Sequence, residues 1–341
     1  MIAQSQQKLA NLRVMSLLAG VLLLLLGVWL HLSSGEMQIG MASVMSGLTD
    51  IEATVFWELR LPRLLLVLII GAGLAVSGVV LQALFRNPLA EPGLIGVSSS
   101  AALGAVFMLV LGGALWGQVM VWQVGGAALA AALFATLFIY RIATRFGKTD
   151  IALMLLAGVA INAIAGAMTQ LLITVSDDAQ LRTVMFWMMG SFSASDTQSV
   201  TLLGFVTLLV VLFYWRLAPA LNALLLGEQT CLHMGFNVSS LKGQIIWGSA
   251  LMVGLAVATV GVIGFVGLVV PHITRLLLGS NHRQLVPFSA LFGAVLLVYA
   301  DWFAKTVISP SEMPVGLFMA LLGGPFFLMM LMQYRKKWGA N

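Results

Sequence analysis

Between Arg63 and Arg86 the chain reads LLLVLIIGAGLAVSGVVLQALF (residues 64–85), twenty-two residues without a charge. A bilayer core of about 30 Å needs roughly 20 apolar residues of helix, because lipid offers the backbone no hydrogen-bond partner of its own. The segment is therefore a membrane-spanning helix, and the rest of the chain repeats its pattern. Val14 to Leu32 is an earlier uncharged run. It follows Lys8 and Arg13, but it outlasts the h-region of a signal peptide and no small-x-small cleavage site follows, so it is expected to be retained. Pro92 to Tyr140 is uncharged and holds two spans, with a turn near Gly112-Gly113 and Gly117. Ile151 to Val175 is the fifth span and Val200 to Trp215 the sixth. Gly243 to Thr274 is again too long for one helix, and Gly261 and Gly264 mark a break before a shorter helix ending at Pro271-His272. About Pro287 to Phe303 and Gly316 to Gln333 complete the set. The expectation is an all-α polytopic membrane protein of about ten transmembrane helices, with both termini on one side.

Composition agrees. Hydrophobic residues make up 60% of the 341 and charged residues 9%, against roughly 25% charged in an average soluble domain; the mean hydropathy is +1.03. Soluble enzymes, nucleic-acid binders and disordered regulators are excluded. A single cysteine, Cys231, excludes an internal disulfide and a cysteine-based metal cluster. Phe146-Gly147-Lys148-Thr149 resembles the end of a phosphate loop, but Ile142 stands where that motif needs glycine, so no nucleotide site is expected. With the N-terminus inside, Lys8, Arg13, Arg86, Arg141, Arg145, Lys148, Arg216, Lys242, Arg275, Arg283, Arg335, Lys336 and Lys337 are cytoplasmic; Arg60, Arg63, Arg182 and Lys305 remain outside. Thirteen against four satisfies the positive-inside rule.

Small residues (Gly71, Gly73 and Ser77 in span two; Gly125, Gly126 and Ala130 in span four) predict close helix crossings. Two inner segments are more than connectors. Arg86 to Gly93 carries two prolines and a polar set, Asn87, Glu91 and Pro92. Pro219 to Lys242 is the longest inner loop, and its stretch Ala220 to Leu232 is amphipathic, suited to a short helix at the membrane face.

Leu59-Arg60-Leu61-Pro62-Arg63, then the run from Leu81-Gln82-Ala83 through Arg86-Asn87-Pro88-Leu89-Ala90-Glu91-Pro92-Gly93 to Val97-Ser98, then Leu156-Ala157-Gly158, Phe186-Trp187-Met188-Met189-Gly190 and Gly264-Phe265-Val266-Gly267 to Pro271-His272 together resemble the FecCD family. These are permease subunits of type II ABC importers for ferric siderophores, haem or cobalamin. The resemblance spans about residue 50 to the end. It implies a single permease domain over 1–341, multi-pass in a bacterial inner membrane with both termini cytoplasmic. It further implies a homodimer with the path at its interface, two cytoplasmic ATPase subunits beneath, a periplasmic binding protein above, no nucleic acid partner, no cofactor and no catalytic activity of its own. By the same resemblance, residues of about 219–242 form the ATPase-coupling segment, a pair of short helices around Gly227 to Gly235, with Gly227, Glu228, Met234 and Gly235 its marked positions. The plain alternative for Glu228 is a helix cap. Arg60 and Arg63 would receive acidic residues of the binding protein; otherwise they snorkel and anchor a helix end. Asn87, Glu91 and Pro92 would contact the ATPase or an inner gate, or simply stabilise their own loop. His272 reads as a hydrogen-bonded packing residue, the alternative being haem ligation or gating. Trp187 and Met188, with Met185 and Met189, sit close to the outer mouth, where soft side chains suit a large planar ligand or ordinary packing.

For cargo, Ser176 to Arg182 and Ala160 to Gly166 look most like haem permeases, whereas Met188-Met189-Gly190 and Glu91-Pro92 look closer to cobalamin permeases. Haem is the preferred reading, with siderophore and cobalamin as alternatives. Arg182, the lone basic residue between spans five and six, either pairs with Asp177 or Asp178 or meets the propionates of haem. A different class, an ion-coupled secondary transporter, would use an ionisable group inside a span. Its candidate is Asp301, which is expected to pair with nearby Lys305. A channel lacks any filter-like repeat or charge ring.

Overall fold

The computed structural model describes residues 2–35, 37, 39, 47–146 and 148–338. Gly147 and the side chains of Lys8, Arg335, Lys336 and Lys337, which entered the sequence reading, lie outside the described set. In chain order the elements are α1 (Ile2–Ser33), α2 (Asp50–Thr54), a π-helical turn (Val55–Arg60), α3 (Leu61–Phe85), a 3₁₀ turn (Pro92–Ile95), α4 (Val97–Trp116) and α5 (Val121–Ala143). A two-stranded hairpin of β1 (Thr144–Arg145) and β2 (Lys148–Thr149) leads to α6 (Ile151–Thr174), α7 (Asp178–Met188), α8 (Thr197–Arg216), α9 (Ala218–Leu225) and α10 (Glu228–His233). The chain ends with α11 (Val238–Val260), α12 (Val266–Leu278), α13 (His282–Thr306) and α14 (Val315–Trp338).

Among the described residues nine helices are long and apolar enough to cross a membrane, α2 and α3 counting as one continuous segment. The tenth expected span is α12. Its 13 residues reach only about 20 Å at 1.5 Å per residue, so it completes a crossing only with the non-helical backbone before it. The break falls where the glycines predict it. The end does not: α12 runs past Pro271 to Leu278, with Gly279 as its cap.

Pro271 is tolerated for a specific reason. Proline lacks the N–H that would bond the carbonyl four residues earlier, which is that of Gly267. This carbonyl instead accepts from Gln82 Nε2 on α3 at 3.4 Å. The approach needs a bare backbone opposite, because a Cβ on Gly78 would lie 1.9 Å from Gly267 O. Gly71 and Gly293 make a second such crossing between α3 and α13, a Cβ on either falling 2.3–2.4 Å from the other's carbonyl oxygen.

These crossings put α3 at the centre, buried on nearly all sides, which is why its sequence is apolar all round rather than amphipathic. By contrast α1, α6, α8 and α14 present wide apolar faces outward, with Leu22, Leu156, Phe205 and Leu328 among many exposed side chains. The π-helical turn ahead of α3 has a local cause too. Pro62 cannot donate to the carbonyl of Glu58, and the chain widens so that Leu61 N–H reaches Phe56 O.

Gly78→Ala is expected to destabilise by about 1–3 kcal/mol through overpacking against backbone. Gly126→Ala, whose Cβ would enter open space, should stay within about 0.5 kcal/mol of wild type. Thermal unfolding in detergent separates the two.

Candidate functional site

The non-helical stretch from Gly261 to Phe265 is the point on which the sequence-predicted inner loop converges. Arg86 closes α3 in the left-handed conformation (φ 48°). Asn87 then serves its own loop, its Oδ1 accepting from Leu89 N at 2.9 Å. Glu91 reaches further: its Oε1 accepts the N–H of Phe265 at 2.6 Å. Phe265, also left-handed (φ 67°), is the residue from which α12 starts. The carboxyl group therefore sits at a helix N-terminus, where unsatisfied N–H groups and the dipole favour negative charge. Pro92 lies against Gly267, whose Cβ would stand 3.0 Å from the ring. Gly93 O accepts from Asn162 on α6 at 3.1 Å. Asn87, Glu91 and Pro92 thus belong to one loop sewn between α6 and α12.

The other side of the same break meets the end of α7. Gly261 adopts φ 77° and would place a Cβ 2.1 Å from Trp187 O, while Ser191 N donates to Val260 O at 2.8 Å. Met188 joins Ser98, Ser99, Thr169, Gln170 and Val262 around a cavity of about 280 Å³. Hydroxyl and amide groups line it, and no charge does. Arg182 stands apart, on the exposed surface of α7. Among the described residues it pairs with neither Asp177 nor Asp178; Asp177 is occupied in capping α7 through Gln180 N at 2.8 Å. His272 packs edge-on to Phe326, ring centroids 6.1 Å apart.

On the face that carries most of the basic loops, α9 and α10 are the pair of short helices that the resemblance implies, where the amphipathic pattern of 220–232 by itself reads as one. Gly227 (φ 116°) separates α9 from α10, and Gly235 (φ 86°) ends α10 with Phe236 N bonded back to Cys231 O at 3.2 Å, a left-handed C-terminal cap. Leu226, Leu232 and Met234 are exposed at 69%, 57% and 57%. Glu228 is anchored inward: Lys242 Nζ stands 2.8 Å from its Oε2 and Arg86 3.4 Å from its Oε1. Lys242, read from the sequence as a loop charge, is buried in the first turns of α11 and also donates to Thr149 O at 2.9 Å.

At the opposite face Arg60 and Arg63 are engaged within the chain. Arg60 donates to Leu32 O at 2.6 Å and to Met37 O. Arg63 grips both oxygens of buried Asp301, at 2.8 and 2.9 Å, and both oxygens of Glu312, at 2.9 Å each. His31 Nε2 completes the Asp301 cluster at 2.8 Å. The expected Asp301–Lys305 pair gives way to these partners, and Lys305 donates to His31 O instead. Arg60, Arg63, Lys305 and Glu312 share the lining of a cavity of about 560 Å³. Local spacing shows only the Lys305 neighbour one turn away. The true partners lie 238 and 270 residues from Asp301. Among the described residues no group of three His, Cys, Asp or Glu is placed to hold a metal.

The family described as the FecCD transport family matches residues 22–333. The hemin transport system permease protein HmuU of Yersinia pestis is 40% identical over 325 residues, covering 94% of this chain and 97% of its own. The vitamin B12 import system permease protein BtuC of Citrobacter koseri is 40% identical over 331 residues, 97% of each chain. Among solved structures, an inward-facing conformation of a metal-chelate type ABC transporter superimposes with a TM-score of 0.83 at 30% identity, covering 93% of this chain and 98% of its own.

Glu91→Gln keeps an acceptor for Phe265 N and should stay close to wild type in thermal unfolding in detergent. Glu91→Ala, which leaves that N–H unmet, should destabilise by about 1–3 kcal/mol. Equal stability of the two variants would show that the Glu91–Phe265 bond does not hold the loop.

Proposed function

Because the chain belongs to the FecCD transport family, we propose that it is the membrane-spanning permease subunit of an ATP-driven importer that moves haem or a related iron chelate from periplasm to cytoplasm. In this reading it works in a bacterial inner membrane with both termini cytoplasmic. It pairs with a second copy, rests on two ATPase subunits and receives cargo from a periplasmic binding protein. ATP is hydrolysed by those partners and not by this chain.

The observation that carries the reading is the α9–α10 pair. Three large apolar side chains, Leu226, Leu232 and Met234, project from a segment whose Glu228 is ion-paired to α11 and to the end of α3. An exposed apolar knob fixed to the central helices suits a force-transmitting contact with a cytoplasmic partner. Glu228 serves as the strut behind it, and Gly227 and Gly235 set its shape. The uncharged cavity beside Met188 and Trp187 suits weak, sliding contact with a bulky chelate. At the outer face the binding protein docks over the cavity of Arg60, Arg63 and Lys305. Arg63 is already held by Asp301 and Glu312, so the cluster as a whole offers the charge. The in-span carboxylate that an ion-coupled carrier would need is committed to Arg63 and His31, which favours ATP as the driving force.

The hemin and the vitamin B12 relatives are equally similar in identity, so cargo rests on Arg182. With Arg182 free of an ion pair among the described residues, two copies would flank the entrance and match the two propionates of haem. Uptake into vesicles carrying the full complex should follow haem, stop on ATP depletion with the proton gradient intact, and fall at limiting haem in Arg182→Ala. Arg182→Lys should recover part of it, keeping the charge but losing the bidentate fork. Uptake of cobalamin alone, or haem uptake indifferent to Arg182, would move the cargo to the alternative.

Replacing Leu232 and Met234 together by Ser should leave a folded permease that no longer co-purifies with its ATPase. Full ATPase stoichiometry in that variant would place the contact elsewhere.

A further inference from the structure

Where α8 ends and α9 and α13 begin, a cavity of about 380 Å³ opens on the basic face, lined by Trp215, Arg216, Pro219 and Arg283. Its construction starts from Pro287. The missing N–H of this proline leaves the carbonyl of Arg283, four residues earlier, without a helical donor. The indole Nε1–H of Trp215 donates to that carbonyl at 3.0 Å. A half-exposed tryptophan is thereby fixed across two helices far apart in sequence. Arg216 is the last residue of α8 and Arg283 the second of α13, and both are exposed.

No acidic residue lines the cavity, and neither arginine enters an ion pair among the described residues. The third wall is tied down as well. Asn222 of α9 donates to Asn281 Oδ1 at 3.0 Å and accepts from His282 N at 2.9 Å. From the cavity, α8 runs into the membrane with Leu212, Leu208 and Phe205 exposed. Leu212 and Leu208 lie four and eight residues before Arg216, on the same face.

A lone arginine at a helix end snorkels as a matter of course. Here two guanidiniums from separate helices converge beside a locked indole, at the foot of an outward-facing apolar strip. Guanidinium forks match phosphate oxygens, and basic pockets between spanning helices bind anionic headgroups. We propose that this cavity is a binding site for an anionic phospholipid, with the phosphate held by Arg216 and Arg283 and an acyl chain lying along Leu212, Leu208 and Phe205. The lipid then braces the junction of α8, α9 and α13, directly behind the α9–α10 pair.

Native mass spectrometry of the detergent-purified protein, titrated with phosphatidylglycerol or phosphatidylcholine, tests this. Wild type should retain phosphatidylglycerol preferentially, and millimolar inorganic phosphate should not displace it. Each arginine near an anionic lipid is worth about fivefold in affinity, so Arg216→Gln with Arg283→Gln should weaken retention roughly twenty- to thirtyfold. The corresponding double Lys variant should fall between. If the double Gln variant does not fold, Arg283→Gln alone should still show the fivefold loss. Equal retention of phosphatidylglycerol by wild type and the Gln variants would overturn the proposal. So would displacement of phosphatidylglycerol by inorganic phosphate, which would make the cavity a site for a soluble anion.

Discussion

A backbone that leaves the helix inside a membrane bundle must find its hydrogen bonds in the protein, and the stretch from Gly261 to Phe265 shows where they come from. Glu91 supplies the acceptor for Phe265 N, and Ser191 supplies the donor for Val260 O. Glycines at 190, 261 and 316 allow neighbouring carbonyls to come within contact of bare backbone. An unmet polar group in hydrocarbon costs several kcal/mol, so these partners are conditions for the break to exist. The inner loop, the end of α7 and the start of α14 are all held in place by meeting it.

The same economy operates at the prolines. Pro271 and Pro287 each release one carbonyl, and in both cases a side chain from another helix takes it, Gln82 in the first and Trp215 in the second. What would be a defect in an isolated helix becomes a specific interhelical tie. The opposite face is fixed by charge instead. There Arg63, Asp301, His31 and Glu312 bind α1, α3, α13 and the connection before α14 into one cluster. The break therefore lies between this ionic cluster and, on the basic face, the strut of Glu228 and Lys242.

Much of this was legible in the sequence, because span length and charge placement follow from the bilayer itself. Ten apolar segments, the break at Gly261 and Gly264, and the unusual inner segments at 86–93 and 219–242 all carry local signals. The errors share one physical origin. Pro271 reads as a stop because Gln82, which takes the freed carbonyl, is 185 residues away. Asp301 reads as a partner of Lys305 because one helical turn is the only neighbourhood a sequence displays. Lys242 reads as a loop charge because its burial depends on Glu228 folding back across Gly235. The left-handed Phe265 had no signal beyond the glycines around it, since its conformation is imposed by the loop it caps against.

The most direct test of this account is hydrogen exchange across residues 261–268 in the bilayer-reconstituted protein. If the break is closed by Glu91 and its glycine-lined neighbours, the Phe265 amide should exchange as slowly as amides in the flanking α11 and α12. Exchange at the rate of an exposed loop would contradict the claim that the two irregular segments satisfy one another.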